Sequence, residues 1–118
     1  MSANEMKPSH SIPMFMMSVG YNIYPVNPTL NEIRGLKSYP SLLDVEEKIE
    51  IVNVFQRSEK CLAIVEEAVE RKSQKGDVEV IWLQEGIINN EAKNLAEFNG
   101  IIFVQDVCMF KEYHKNFK

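Results

Sequence analysis

Three polar segments carry residue types suited to holding a ligand: Tyr24-Pro25-Val26-Asn27-Pro28, Val54-Phe55-Gln56-Arg57-Ser58-Glu59 and Trp82-Leu83-Gln84-Glu85-Gly86. Each follows an apolar, β-branched stretch, and two of the three lead into a helical pattern. In an open parallel α/β sheet the ligand crevice lies outside the carboxyl ends of the strands. Three such strand ends therefore describe one rim of a binding site.

Other constellations offer no catalytic apparatus. Neither a GxGxxG nor a GxxxxGK[ST] loop occurs, and Gln74-Lys75-Gly76 lies before a strand instead of between strand and helix. An ATP-hydrolysing P-loop enzyme is not indicated. His10 and His114 stand at opposite ends of the chain and read as surface or capping residues. No Ser/His/Asp motif, HExxH or metal-spaced Cys/His group is present. Asp106 beside Cys108 admits a redox reading, but a carboxylate capping a turn beside a buried thiol is the simpler one.

The 118 residues make one domain by length, residues 1–118. Hydrophobic residues at 45% and charged residues at 25% are ordinary for a globular protein. A net charge of −4 and a pI of about 5.2 give no reason to expect nucleic acid. A phosphate-bearing ligand would be met locally, by backbone amides and a few cations. Cys61 and Cys108 form no zinc cluster or disulfide framework and read as two reduced thiols. No stretch approaches the ~20 apolar residues of a membrane span. Met14 to Val19 is too short for a signal sequence and lacks its flanks. A cytoplasmic location follows as the expectation.

These segments need elements to position them. Ser9 is expected to cap a helix over about 10–19, with Pro13 tolerated near its start and Gly20 ending it. Tyr21 to Val26 reads as a strand that Pro25 takes out of the ladder early. A turn falls at Arg34-Gly35-Leu36, and Ser41 to Asp44 is a short helical piece. Ile49 to Phe55 alternates as a strand. A helix over about 58–73 buries Cys61, Leu62, Ile64, Val65, Ala68 and Val69, with Glu66, Glu67, Glu70, Arg71 and Lys72 forming a solvated face. Val78 to Leu83 is a strand, Asn89 or Asn90 caps a helix through Phe98, and Ile101 to Gln105 is the last strand. Residues 106–118 read as a polar tail. Alternating helices and strands mean a parallel, Rossmann-type α/β sheet with flanking helices.

With Lys7-Pro8-Ser9-His10, Gly20-Tyr21, Gly35, Ser38-Tyr39-Pro40-Ser41-Leu42 and Asp106-Val107-Cys108 added to the three strand-end segments, the chain resembles the small stand-alone CoA-binding proteins. That family is similar in fold to the CoA-binding domain of the α subunit of succinyl-CoA synthetase. The resemblance spans essentially the whole chain, and it implies coenzyme A, or an acyl-CoA, as ligand across the carboxyl ends of the strands. It implies that Ser2 to Asn4 and Lys7 to Ser9 flank the diphosphate, and that Asn27 and Pro28 line the crevice. It also implies that Phe55, Arg57 and Ser58 border the nucleotide and that Trp82 to Gln84 form another wall. Cys108, after the last strand, is placed near the pantetheine end. Lys7 and Arg57 would supply cations, the helix after Ser9 its free amides, and Phe55 an apolar face for adenine.

Two cations of the family pattern are replaced, by Gln56 and Val107. At about 1–3 kcal/mol per charged hydrogen bond, that weakens phosphate binding several-fold to a hundredfold. Family members also begin with a β-strand and a Gly-x-Ser turn, whereas this chain opens at Met1-Ser2-Ala3-Asn4. The expectation is a missing central strand between those at 21–26 and 78–83: either the start is truncated or misassigned, or both strands are left with unpaired backbone, favouring rearrangement or self-association. The implied activity is CoA binding without catalysis. The alternative is a subunit or fragment of a CoA-dependent ligase or transferase that needs a partner.

Overall fold

The computed structural model describes residues 1–27 and 29–116, with the backbone alone at 115 and 116. It divides into two compact units, residues 1–45 with the chain from 109 onward, and residues 46–108.

The first unit opens on helix α1, Pro8–Ser18. Its N-cap is Lys7, not Ser9, because Pro8 takes the first helical position, where its fixed φ suits the turn and its missing N–H costs nothing. Pro13 lies inside the helix and cannot donate to the Ser9 carbonyl. The Ser2 amide does so instead, at 3.1 Å. His10 is buried and donates from Nδ1 to the Ser2 carbonyl at 2.7 Å, a packed role where a surface one was expected. Residues 2–7 are thus folded back against the helix they precede.

The strand expected over Tyr21 to Val26 is absent; Val26 makes one isolated parallel bridge with Tyr39. Pro25 contributes only its carbonyl, which accepts from the Tyr39 amide at 2.9 Å, and Pro40 stops the partner one residue on. A β-branched run without a partner alongside it has no ladder to join. Strands β1 (Glu32–Ile33) and β2 (Leu36–Lys37) form a small antiparallel hairpin around Arg34 and Gly35. Both turn residues have positive φ, 54° and 80°, the geometry a two-residue hairpin demands. Ser41 caps a 3₁₀ turn, Leu42–Asp44, by accepting from the Leu43 amide.

The polar tail expected after residue 106 is instead helix α4, Met109–Asn116. Met109 is buried, and Phe110, Tyr113 and His114 recur at helical spacing to place their rings around Phe15 of α1. Their centroids lie 4.7, 5.4 and 5.2 Å from that of Phe15. Aromatic residues at three and four apart outweighed Lys111 and Glu112 between them.

The second unit is a parallel sheet, β3 (Ile51–Val54), β4 (Val80–Leu83) and β5 (Ile102–Val104), in the order β3-β4-β5. Helices α2 (Cys61–Lys75) and α3 (Asn90–Phe98) make the crossovers and pack on each other. Val52, Ile81 and Phe103 are in register on one face. That parity buries Val52, Val54, Ile81 and Leu83 with Cys61, Val65 and Ala68 of α2 and Ala92 and Ala96 of α3. The expected gap beside 78–83 is not there: β4 is central and paired on both sides. The predicted unpaired backbone on that strand is not found; the sheet's open edges are β3 and β5.

At the amino-terminal ends of β3 and β4, Arg71 is fully buried rather than solvated. It follows Ala68 by three residues and so falls on the buried stripe of α2. Its guanidinium pairs with Asp77 and donates to the Glu47 carbonyl at 2.7 Å. Gly76 closes α2 in the left-handed region at φ 73°.

Candidate functional site

The site is built from the three loops that leave the carboxyl ends of β3, β4 and β5. After β3 comes Phe55, half-buried, then Gln56 and Arg57, both exposed, and a 3₁₀ turn, Ser58–Lys60, that runs into α2. The Cys61 thiol donates back to the Arg57 carbonyl at 3.5 Å and fixes this turn from behind. Burial, with the charge of Glu59 adding to it, pushes that thiol above its ordinary pKa. Among the described residues the Arg57 guanidinium has no partner, and the amides of Arg57, Ser58 and Glu59 have no acceptor.

The loop after β4 is the opposite case. Four successive amides are taken within the unit: Gly86 by Asp106 Oδ1 at 2.7 Å, Ile87 by the Gln84 carbonyl at 3.0 Å, Ile88 by Ser58 Oγ at 3.1 Å, and Asn89 by Gln105 Oε1 at 3.0 Å. Asn89 then caps α3 by accepting from the Ala92 amide, and its Nδ2 donates to the Ser58 carbonyl at 2.8 Å. After β5, Trp82 Nε1 donates to the Val107 carbonyl at 2.7 Å, and Cys108 is half-buried just beyond.

The sequence-predicted residues of this unit therefore differ in how their side chains are used. Arg57 and Phe55 are at the rim with their groups available. Ser58 stands there too, but its hydroxyl holds the β4 loop. Gln84 is buried and donates to Asn53 Oδ1, so its amide braces the neighbouring strand. Asn53, Trp82 and Gln84 share a face, which is why residues far apart in sequence can meet. Gln105, and Asn89 beyond its cap, are rim residues that sequence reasoning did not pick out. The sequence signal was faint: two adjacent asparagines after a glycine, with a partner visible only in the folded chain.

In the first unit the predicted residues form a compact turn. Ser2 Oγ accepts from the Asn4 amide at 3.1 Å, and Asn4 Oδ1 accepts from the Met6 amide at 3.0 Å. Asn27 donates to the Met1 carbonyl at 3.0 Å and accepts from the Thr29 amide and hydroxyl. Lys7 is exposed, and its ammonium has no partner among the described residues. Ser9 is half-buried. The expected row of free amides at the start of α1 shrinks to that of Ser9, since Pro8 has none and His10 and Ser11 both donate to the Lys7 carbonyl. Pro28 lies outside the described residues.

A cavity of about 290 Å³ lies elsewhere in the second unit, at the amino-terminal ends of β3 and β4, lined by Glu46, Lys48, Arg71, Lys75 and Asp77 among others. Its charges balance, and the Arg71–Asp77 pair is structural, so the carboxyl ends remain the candidate site. Among the described residues no helix is long and apolar enough to cross a membrane, and no group of three or more His, Cys, Asp or Glu side chains could hold a metal.

Against known proteins, the pattern of the family described as CoA binding domain matches residues 1–114. The protein YneT of Bacillus subtilis (strain 168) is 39% identical over 101 residues, covering 86% of this chain and 71% of that protein. An ADP-forming acetate–CoA ligase of Methanocaldococcus jannaschii is 26% identical over 115 residues, 92% of this chain but 16% of the ligase. Among solved structures, a hypothetical protein from Pyrococcus horikoshii OT3 superposes with a TM-score of 0.88 at 33% identity, covering 99% of this chain and 79% of that one. With a Rossmann-like parallel sheet and a pattern match over nearly its whole length, the chain belongs to the CoA binding domain family.

Proposed function

We propose that this protein binds coenzyme A, or an acyl-CoA, along the carboxyl ends of β3, β4 and β5, and performs no chemistry on it. Family membership supports the ligand class. The observation that carries the position is the contrast between two neighbouring loops. After β4 the amides are consumed internally, whereas after β3 the amides of Arg57 to Glu59 and the Arg57 guanidinium are left for an outside acceptor. Phosphate is such an acceptor, and amides at the start of a helix together with a guanidinium stabilise it. Phe55 beside them offers an apolar surface for the base. Lys7, exposed in the first unit, is proposed as a second phosphate cation on the family resemblance, with Ser2, Asn4, Ser9, Asn27 and Pro28 assigned to the ligand on the same ground.

Titration calorimetry with coenzyme A and with NAD tests this reading. Coenzyme A should bind more tightly, because the dinucleotide glycine fingerprint is absent from the sequence. Tighter binding of NAD, or heat from neither ligand, would overturn it. Incubation with coenzyme A, ATP and acetate should yield no acetyl-CoA.

A further inference from the structure

The loop between β4 and α3 is held by Gln105 and Asp106 from the segment after β5, and Asp106 makes two bonds to it. The Asp106 carboxylate accepts from the Gly86 amide at 2.7 Å, and the Asp106 amide donates to the Ile87 carbonyl at 3.2 Å. This reciprocal clamp requires Asp106 at a positive φ of 59°, a region that Asp, Asn and Gly enter far more readily than other residues. Gly86, at φ 87°, supplies the matching bend. The segment carrying Asp106 is itself anchored, since the Val107 amide donates to the Leu83 carbonyl at 3.4 Å and Trp82 Nε1 holds the Val107 carbonyl.

We propose that Asp106 is a positioning residue for the ligand rim, a role that rests on the coenzyme A reading above. It fixes the loop 84–89 as a preformed wall through the Gly86 amide and makes no contact of its own with phosphate. A carboxylate would repel a phosphate in any case, so its charge is tolerable only where it is spent on the loop. The side chain is exposed.

Two variants separate geometry from charge. Asp106→Gly keeps the left-handed backbone and deletes the acceptor, while Asp106→Asn keeps both the backbone and an acceptor oxygen and deletes the charge. Hydrogen exchange read by mass spectrometry over residues 84–90, coenzyme A calorimetry and thermal melting are measured on the natural chain and both variants. In Asp106→Gly, exchange should rise over the loop alone and coenzyme A affinity should fall at least tenfold with little change in melting temperature. Asp106→Asn should restore both. A purely structural role predicts faster exchange across the sheet and a lowered melting temperature, and that result overturns the proposal. So does unchanged affinity in Asp106→Gly, or an Asp106→Asn variant as weak as Asp106→Gly. If the natural chain does not bind coenzyme A, the positioning role falls with the ligand reading. A loop-confined exchange response would then show that the clamp itself was read correctly.

Discussion

Arg71 and Asp77 form an ion pair sealed inside the second unit, with 3.0 Å between Nη2 and Oδ2 and almost no exposure of either side chain. Asp77 also accepts from the Ile49 amide at 2.9 Å, so one carboxylate joins the end of α2 to the approach to β3. Truncating it strands a buried guanidinium, a change that costs about 3–5 kcal/mol where one partner of such a pair is removed. Asp77→Ala should lower the urea midpoint accordingly or prevent folding. A loss below about 1 kcal/mol, the range of exposed ion pairs, would show that water reaches Arg71.

The same carboxylate sets an acid limit. Burial alone would raise its pKa, but the hydrogen bonds from Arg71, the Ile49 amide and the Arg71 charge outweigh that and hold it below the ordinary value of 3.8. A pKa depressed by folding contributes stability above the unfolded value and loses it as pH falls through the folded one. Unfolding free energy measured by circular dichroism should therefore be insensitive to Asp77 titration at pH 5–7 and decline below about pH 4. Asp77→Asn should flatten that decline; an unchanged acid profile would assign it to other carboxylates.

Arg57→Glu reverses the free charge at the β3 rim. A hydrogen bond to a charged group contributes about 1.5–3 kcal/mol, so coenzyme A affinity should drop at least tenfold. The far-ultraviolet spectrum and melting temperature should not move, because the side chain is exposed and has no partner among the described residues. Equal affinity in both proteins would place the phosphates elsewhere.

The two thiols should separate kinetically. Cys61 is fully buried and its pKa is raised, which starves it of the thiolate that reacts, whereas Cys108 is half-buried at the candidate site. With CoA disulfide, the Cys108 thiolate should attack one sulfur, form a mixed disulfide and release one coenzyme A thiolate. Mass spectrometry of the digested protein should find the adduct on Cys108 first. Labelling of Cys61 ahead of Cys108 in the folded protein would contradict this placement.

Much of the second unit was legible because its signals are local. Ile51 to Val54 alternates, Cys61, Val65 and Ala68 repeat at helical spacing, and Asn89 caps at the position its chemistry favours. What could not be read depends on neighbours distant in sequence. Val26 found one bridge and no ladder. Phe110 and His114 became a helix face because Phe15 awaited them. Arg71 looked solvated until Asp77 appeared beside it. At the site, Arg57 was readable from its type and its place after a strand. The tasks of Ser58 and Gln84 were not, since their partners lie 30 and 31 residues away.

The four satisfied amides between Gly86 and Asn89 bear on how fast a ligand can arrive. A mobile loop must be ordered as a ligand docks, which slows association and makes it biphasic. Here that ordering is completed during folding, when Ser58, Gln84, Gln105 and Asp106 take up the loop's donors. Stopped-flow mixing should accordingly give one exponential whose rate rises linearly with ligand concentration, and differences in affinity among rim variants should appear mainly in how quickly the ligand leaves.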